Sequence, residues 1–129
     1  MGRNTIKIIF DTNFLFIPIR EKVDIIFEIK HELEGVKEFF IIKESLDELK
    51  KLEKKGIKDA KLTVENILKQ EIKILDIDGP KDVDDKIIWA ALEQNAFIAT
   101  IDKELIKKAK SKGLKIIGYN KSKKRTMVI

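Results

Sequence analysis

The stretch "IIFDTNFL", residues 8–15, places an acid where an apolar run stops. Residues 8–10 are β-branched or aromatic, which is typical of a strand buried inside a sheet. Asp11 ends this run, and two small polar residues follow before the apolar character resumes at Phe14. The pattern predicts a buried strand that delivers a carboxylate at its carboxyl end.

Similar apolar runs recur along the chain and alternate with helical patterns. The predicted strands are residues 6–10, 39–42, 72–77, 97–100 and 115–119. The predicted helices are residues 21–33, 44–54, 58–70, 82–94 and 102–111. Continuous apolarity within the strands favours a parallel sheet covered on both faces. We therefore expect a three-layer α/β/α sandwich with a central, mostly parallel five-stranded sheet.

Composition limits the class of protein. A chain of 129 residues with 43% hydrophobic and 38% charged residues fits one domain, residues 1–129, in which 120–129 form a basic tail or a short extra strand. No apolar run approaches the roughly 20 residues that span a bilayer, and the N-terminus lacks the zones of a signal peptide. We expect a cytoplasmic protein that is not associated with a membrane. The absence of Cys and the single His argue against thiolate and zinc sites.

The chain is basic, with a net charge of +5 and a pI near 9.3. Basic surfaces attract polyanions, above all nucleic acid. Each lysine cluster taken alone is better explained by a solvated helix face. The candidate nucleic-acid contacts lie in the "KSKKR" segment: Lys121, Lys123, Lys124 and Arg125.

Acidic residues fall at equivalent positions of several predicted units. Asp11 ends the first strand, and Asp102 follows the fourth. Glu48 lies about one turn into the helix after the second strand, and three acids within 82–85 open the helix before the fourth. Ligands of open parallel sheets bind outside the carboxyl ends of the strands. The sequence thus predicts that these acids converge on one edge.

Each acid also has a purely structural interpretation. Asp11, Asp102 and the acids at 82–85 could cap helices or complement a helix dipole, and Glu48 could pair with Lys51. Their joint placement favours a ligand, because packed carboxylates repel one another unless a cation neutralises them. Hard oxygen donors without Cys point to Mg²⁺ or Mn²⁺.

Four segments together resemble the PIN-domain nucleases: "FDTNFLF", "SLDELKKL", "DVDDKIIWAA" and "IATIDKEL". The family signature is an Asp ending strand one, a Glu in the second helix, an Asp opening the helix before strand four and an Asp just after that strand. The resemblance covers residues 6–119. It is strongest to the branch that contains eukaryotic ribosomal-RNA processing proteins and archaeal relatives, and the toxins of toxin–antitoxin pairs share the same core.

The resemblance implies a set of site residues. The catalytic and metal-ligating acids carried over are Asp11, Glu48, Asp85 and Asp102. The polar residues expected to line the site are Asn13 and Thr100. Asp85 is preferred to Asp84 because the family acid is followed by one free position and then an apolar run.

The same resemblance implies the function. We expect a metal-dependent endoribonuclease that uses Mg²⁺ or Mn²⁺ to hydrolyse RNA phosphodiester bonds, with Asp11 as the central ligand. It also implies a homodimer and, depending on the branch, an antitoxin-like or a ribosome-assembly protein as partner.

Two other functions compete with this one. A phospho-acceptor receiver domain needs an acidic pair at the end of strand one, where this chain has only Asp11, and an acceptor Asp after strand three, where Gly79 and Pro80 follow Asp78. The alternative is a catalytically inactive PIN-like module that binds RNA or takes part in assembly. Metal-dependent cleavage of single-stranded RNA separates the enzyme from the binding module.

Overall fold

A computed structural model describes residues 5–129 as a six-stranded sheet between two layers of helices. The strands are β1 Thr5–Phe10, β2 Val36–Ile42, β3 Ile72–Leu75, β4 Phe97–Ala99, β5 Ile116–Asn120 and β6 Arg125–Val128. The α-helices are α1 Ile17–Glu21, α2 Ile25–Glu32, α3 Lys43–Lys54, α4 Lys58–Lys69, α5 Val83–Gln94 and α6 Lys103–Ser111. The predicted mostly parallel α/β/α sandwich is confirmed.

The sheet has one strand more than the five predicted. Its order is β3-β2-β1-β4-β5-β6, and every pairing is parallel except that of β5 with β6. Of the two alternatives for the last residues, the short extra strand is therefore the one observed. A turn over residues 121–124 reverses the chain between β5 and β6.

Two separate hydrophobic cores cover the two faces of the sheet. Alternate residues of β1 serve both, since Ile8 and Phe10 pack among α1–α4 while Ile9 packs against α5 and α6. Phe10 stacks on Phe14 and Phe39, with ring centroids 5.9 and 5.7 Å apart. This double burial explains why the strands are continuously apolar.

The segment after β1 was not predicted to be helical. Residues Thr12–Phe16 form a 3-10 helix that runs directly into α1. Lys22 then adopts a left-handed conformation with φ of 57°, and Asp24 caps α2 through the amide of Phe27. The predicted helix over 21–33 therefore begins four residues later, at Ile25.

Strand order reverses between β1 and β4. From β1 the chain builds the sheet outward through β2 and β3, and β4 then pairs with the other side of β1. The backbone amide of Asp11 donates to the carbonyl of Ala99 at 2.9 Å, which joins the ends of the two strands. This is the position at which open α/β sheets bind ligands.

The loop between β3 and α5 is held by a close contact. Gly79 has a φ of 146°, and a Cβ built there would lie 3.1 Å from the indole Cε3 of Trp89. Only glycine allows this approach without displacing the ring. Within the described part of the chain, no helix is long and apolar enough to cross a membrane.

Candidate active site at the carboxyl edge of the sheet

Asp11 occupies the centre of the edge where β1 and β4 end. Its side chain is only 7% exposed. Oδ1 accepts from the amide of Thr12 at 2.9 Å, and Oδ2 accepts from the Thr100 hydroxyl at 2.7 Å. Asp11 thus caps the 3-10 helix, as the structural interpretation predicted, and it is also fixed from the β4 side.

Asn13 and Thr100 support this carboxylate as a small network. The Thr100 hydroxyl donates to Asp11 and accepts from the amide of Asp102 at 3.0 Å. Asn13 Oδ1 lies 3.4 Å from the Ile101 amide and 3.5 Å from the Thr100 hydroxyl. Thr100 therefore contacts Asp11 directly, and Asn13 joins the 3-10 helix to Thr100 and to the loop after β4.

Asp102 has two functions available to it. Its Oδ1 accepts from the amides of Glu104 and Leu105 at 2.9 and 3.3 Å, so the residue caps α6. Oδ2 has no hydrogen-bond partner among residues 5–129. Capping occupies one oxygen and leaves the other available to a ligand at the edge.

The protonation equilibrium of Asp11 reports on its surroundings. Burial raises the pKa of Asp11 above its usual range, although hydrogen bonds from Thr100 and Thr12 lower it. The neighbouring charges of Asp102 and Glu48 raise it further. Three of the four predicted site acids are therefore near enough to interact electrostatically. Within residues 5–129, Glu48 makes no ion pair with Lys51.

The acids that open α5 divide between different roles. Asp82 caps the helix by accepting from the amide of Asp85 at 3.1 Å. Burial raises the pKa of Asp84, and the charges of Asp11, Asp102 and Asp82 add to that rise while Lys108 opposes it. Asp84 is thus close enough to interact electrostatically with Asp11 and with Asp102.

Asp85, the acid preferred from the sequence, makes a different contact. Its Oδ1 lies 3.1 Å from Lys108 Nζ of α6, in an ion pair whose side chains are about half exposed. A cavity of about 430 Å³ opens beside this pair. It is lined by Asp84, Glu104, Leu105, Lys107, Lys108 and Ser111.

A buried lysine fixes the start of α5 and was not identified from the sequence. Lys86 is 7% exposed, and its Nζ donates to Glu44 Oε2 at 2.6 Å and to the Ile77 carbonyl at 3.2 Å. The contact with Glu44 joins α5 to α3, the helix that carries Glu48, and the contact with Ile77 joins α5 to the loop after β3. The only sequence signal was a lysine at an apolar position of α5, because no local pattern relates it to a partner 42 residues away.

The acidic side chains at this edge suit a divalent cation chemically, but within residues 5–129 they are not arranged around a single point where an ion could bind. Carboxylate oxygens are the donors that Mg²⁺ and Mn²⁺ prefer, and the charges of Asp102 and Glu48 help to raise the pKa of Asp11. As the side chains stand in residues 5–129, no group of three or more His, Cys, Asp or Glu is arranged to hold a metal ion. The acids approach one edge. Side-chain movement would be required to close Asp11, Glu48, Asp102 and an acid of α5 around an ion as a carboxylate ring.

A family model and a solved structure both relate this chain to PIN domains. A family model described as "PIN like domain" matches residues 8–121. The solved structure of the PIN domain endonuclease Utp24 superposes with a TM-score of 0.78 at 24% identity, over 95% of this chain and 90% of that one. No curated protein matches the sequence.

Two archaeal structures share the fold at lower similarity. A PilT N-terminus domain protein from Sulfolobus solfataricus P2 gives a TM-score of 0.60 at 21% identity, over 88% of this chain and 87% of that one. A domain of a functionally unknown protein from Methanocaldococcus jannaschii DSM 2661 gives 0.59 at 18%, over 88% and 91%. At these identities the likeness establishes the fold alone.

Proposed function

Because this chain belongs to the family of PIN-like domains, we propose that it is a metal-dependent endoribonuclease that hydrolyses RNA phosphodiester bonds. The observation that carries the proposal is the burial of the Asp11 carboxylate close to two other acids. A buried carboxylate whose pKa is raised by burial and by two further acids has more negative charge around it than a helix cap requires. A bound cation would relieve that excess.

The chain's own residues divide the work at the edge. Asp11, Glu48 and Asp102 would hold Mg²⁺ or Mn²⁺, and Thr100 and Asn13 would keep Asp11 turned toward the ion. When bound, such an ion supplies hydroxide at neutral pH and stabilises negative charge on the phosphate and on the leaving oxygen. Glu48, on the exposed side of α3, would bind metal or orient the attacking water.

The fourth acid comes from the start of α5. The expectation of Asp85 stays a prediction, but the surroundings of the two neighbours favour Asp84. Asp84 is coupled to Asp11 and Asp102, whereas Asp85 is paired with Lys108. We propose that Asp84 completes the ring and that Asp85 holds α6 against α5.

Cleavage of single-stranded RNA by the purified protein tests the proposal. With Mn²⁺ or Mg²⁺ we expect endonucleolytic products from the wild type and none with EDTA. Asp11→Asn should lower the rate by at least about 100-fold, because it removes the charge that anchors the ion while keeping the size of the side chain. Asp47→Asn, an exposed acid beside Glu48, serves as the control and should cleave like the wild type.

The inactive RNA-binding module remains the alternative function. Wild-type protein that binds RNA but shows no metal-dependent cleavage would favour it. Cleavage by Asp11→Asn at the wild-type rate would contradict the carboxylate ring and leave the acids as helix caps.

A further inference from the structure

A second polar cavity lies between α2 and the β5–β6 turn. Its volume is about 380 Å³. Its lining combines aromatic rings with cations: Phe27, Glu28, His31, Glu32, Lys123, Lys124, Arg125 and Thr126. None of these residues belongs to the carboxylate site.

The aromatic part of this cavity is exposed. Phe27 lies on α2 with 56% of its surface open to solvent. Its ring centroid is 4.2 Å from that of His31, one turn further along the helix, at an interplanar angle of 34°. A large exposed ring beside a second ring offers a surface on which a nucleobase can stack.

The cations of the cavity are only partly neutralised by its own acids. Arg125 faces Glu32 at 3.9 Å, and Glu28 accepts from the backbone amide of Thr126 at 2.9 Å. Neither Lys123 nor Lys124 makes an ion pair with any carboxylate of residues 5–129. The two lysines in the turn are therefore available to pair with an external anion.

The topology places this cavity on the same side of the molecule as the acids. β5 is parallel to β4, so the turn that follows β5 leaves from the sheet edge at which Asp102 follows β4. The hydrogen bond between Glu28 and Thr126 holds α2, which carries Phe27 and His31, against β6. One strand of nucleic acid at that edge could contact both features.

We propose that this cavity binds a nucleotide of the single-stranded RNA substrate, at a distance from the bond that is cut. Its base stacks on Phe27 and its phosphates face Lys123 and Lys124. The proposal rests on the proposed function for the identity of the substrate, but binding at the cavity needs no metal and no intact carboxylate ring.

Fluorescence anisotropy with labelled oligoadenylate in EDTA tests the stacking. Phe27→Ala should weaken binding about fivefold or more, the lower end of what one base–aromatic contact supplies. Leu68→Ala removes another exposed apolar side chain, on α4, and should bind like the wild type. Circular dichroism and melting temperature establish that both variants are folded.

An abasic strand of the same length separates stacking from charge. It offers phosphates without bases, so Phe27→Ala and the wild type should bind it equally. The double variant Lys123→Gln/Lys124→Gln should bind both strands more weakly and show a smaller dependence on salt. The matched control is Lys58→Gln/Lys61→Gln on α4, which should keep the wild-type dependence.

Three results would overturn the proposal. These are Phe27→Ala binding oligoadenylate within twofold of the wild type, an equal loss on the abasic strand, and a change in self-association by sedimentation without a change in RNA binding. The last would assign the exposed ring to a protein interface. Failure of the nuclease itself is read separately, from wild-type cleavage with Mn²⁺.

Discussion

Asp11 illustrates how one carboxylate can satisfy a local structural need and still be available for chemistry. Capping the 3-10 helix uses one oxygen through the Thr12 amide. Any exposed Asp could do this, and it would be more stable in water. The burial of Asp11 beside Asp102 and Glu48 lowers the stability of the fold, and capping does not explain why the residue is buried. Unfavourable arrangements of this kind are found mainly at functional sites.

The choice between Asp84 and Asp85 is testable with paired variants. We expect Asp84→Asn to lower metal-dependent cleavage by at least about tenfold, because it removes a charge coupled to the ring. Asp85→Asn should stay within a few-fold of the wild type, since an ion pair exposed to solvent contributes little to stability. The opposite ranking of the two initial rates would restore Asp85 as the ligand.

Asp11 should also make the stability of the metal-free protein depend on pH. Its pKa is higher in the folded than in the unfolded chain, so the folded state binds the proton more readily, and stability falls as pH rises from the ordinary value near 3.8 through the raised value. Asp11→Asn should therefore raise the melting temperature at neutral pH in EDTA and lose that advantage below the ordinary pKa. An equal difference at every pH would contradict the assignment.

Adjacent acids at the start of a helix mark the limit of the sequence prediction. Asp11, Asp102 and Glu48 could be placed because strand ends and an apolar helical stripe define where they lie. Successive helical residues point about 100° apart, so which of Asp84 and Asp85 faces the edge depends on how α5 is rotated in the first turn. That rotation is set by long-range contacts, including the one made by Lys86.

At the scale of elements, α3 and α5 are joined by an ion pair between Glu44, which is partly exposed, and Lys86, which is buried. The pair fixes two helices that carry candidate site acids, Glu48 on one and Asp84 on the other. A hydrogen bond from Lys86 lowers the pKa of Glu44, so the glutamate stays charged. The other oxygen of Glu44, Oε1, is buried and has no hydrogen-bond partner within the described chain. The ion pair with Lys86 is therefore the main interaction that offsets the burial of this carboxylate.

Lys86→Met should destabilise the protein by about 1–3 kcal/mol, because it strands a partly buried carboxylate, although one exposed enough for water to reduce the loss. Cleavage should fall as well, since the two helices lose their tie. Urea denaturation measures the first effect. Lys73→Met, which breaks a solvent-exposed ion pair with Glu38, should lower the free energy of unfolding much less than Lys86→Met does. An equal loss in both variants would contradict the role of burial.

Helices and strands differ in how readily they could be predicted. Strands buried on both faces leave continuous apolar runs, and all five such runs form strands. Residues 12–20 were not predicted to be helical because their apolar residues are contiguous rather than periodic. Phe14, Leu15, Phe16 and Ile17 are all buried. A short helix enclosed on several sides carries no amphipathic pattern.

At the scale of the whole molecule, the reversal of strand order gathers residues from distant parts of the chain. Asp11, Glu48 and Asp102 come from three units, yet they share one edge. Metal binding there should therefore stabilise the fold as a whole. At a tenfold excess over Kd the gain is about 1.4 kcal/mol, which corresponds to about 3–6 °C in melting temperature.

A thermal melt with Mn²⁺ measures this coupling. Wild type should melt higher at millimolar Mn²⁺ than in EDTA at matched ionic strength, and Asp11→Asn should lose most of the shift. Asp47→Asn is the matched control and should keep it. Equal shifts in wild type and Asp11→Asn would indicate non-specific binding of the ion elsewhere.

The packing of Trp89 on Gly79 has an optical consequence. The chain contains a single tryptophan, so all indole emission of the native protein comes from one ring that is 38% exposed. That ring covers the loop which leads into the acidic first turn of α5. Movement of the loop would change the ring's contact with solvent, and so its emission wavelength and quenching by iodide. The protein therefore carries an intrinsic fluorophore on α5, in contact with the loop that precedes the acids of that helix.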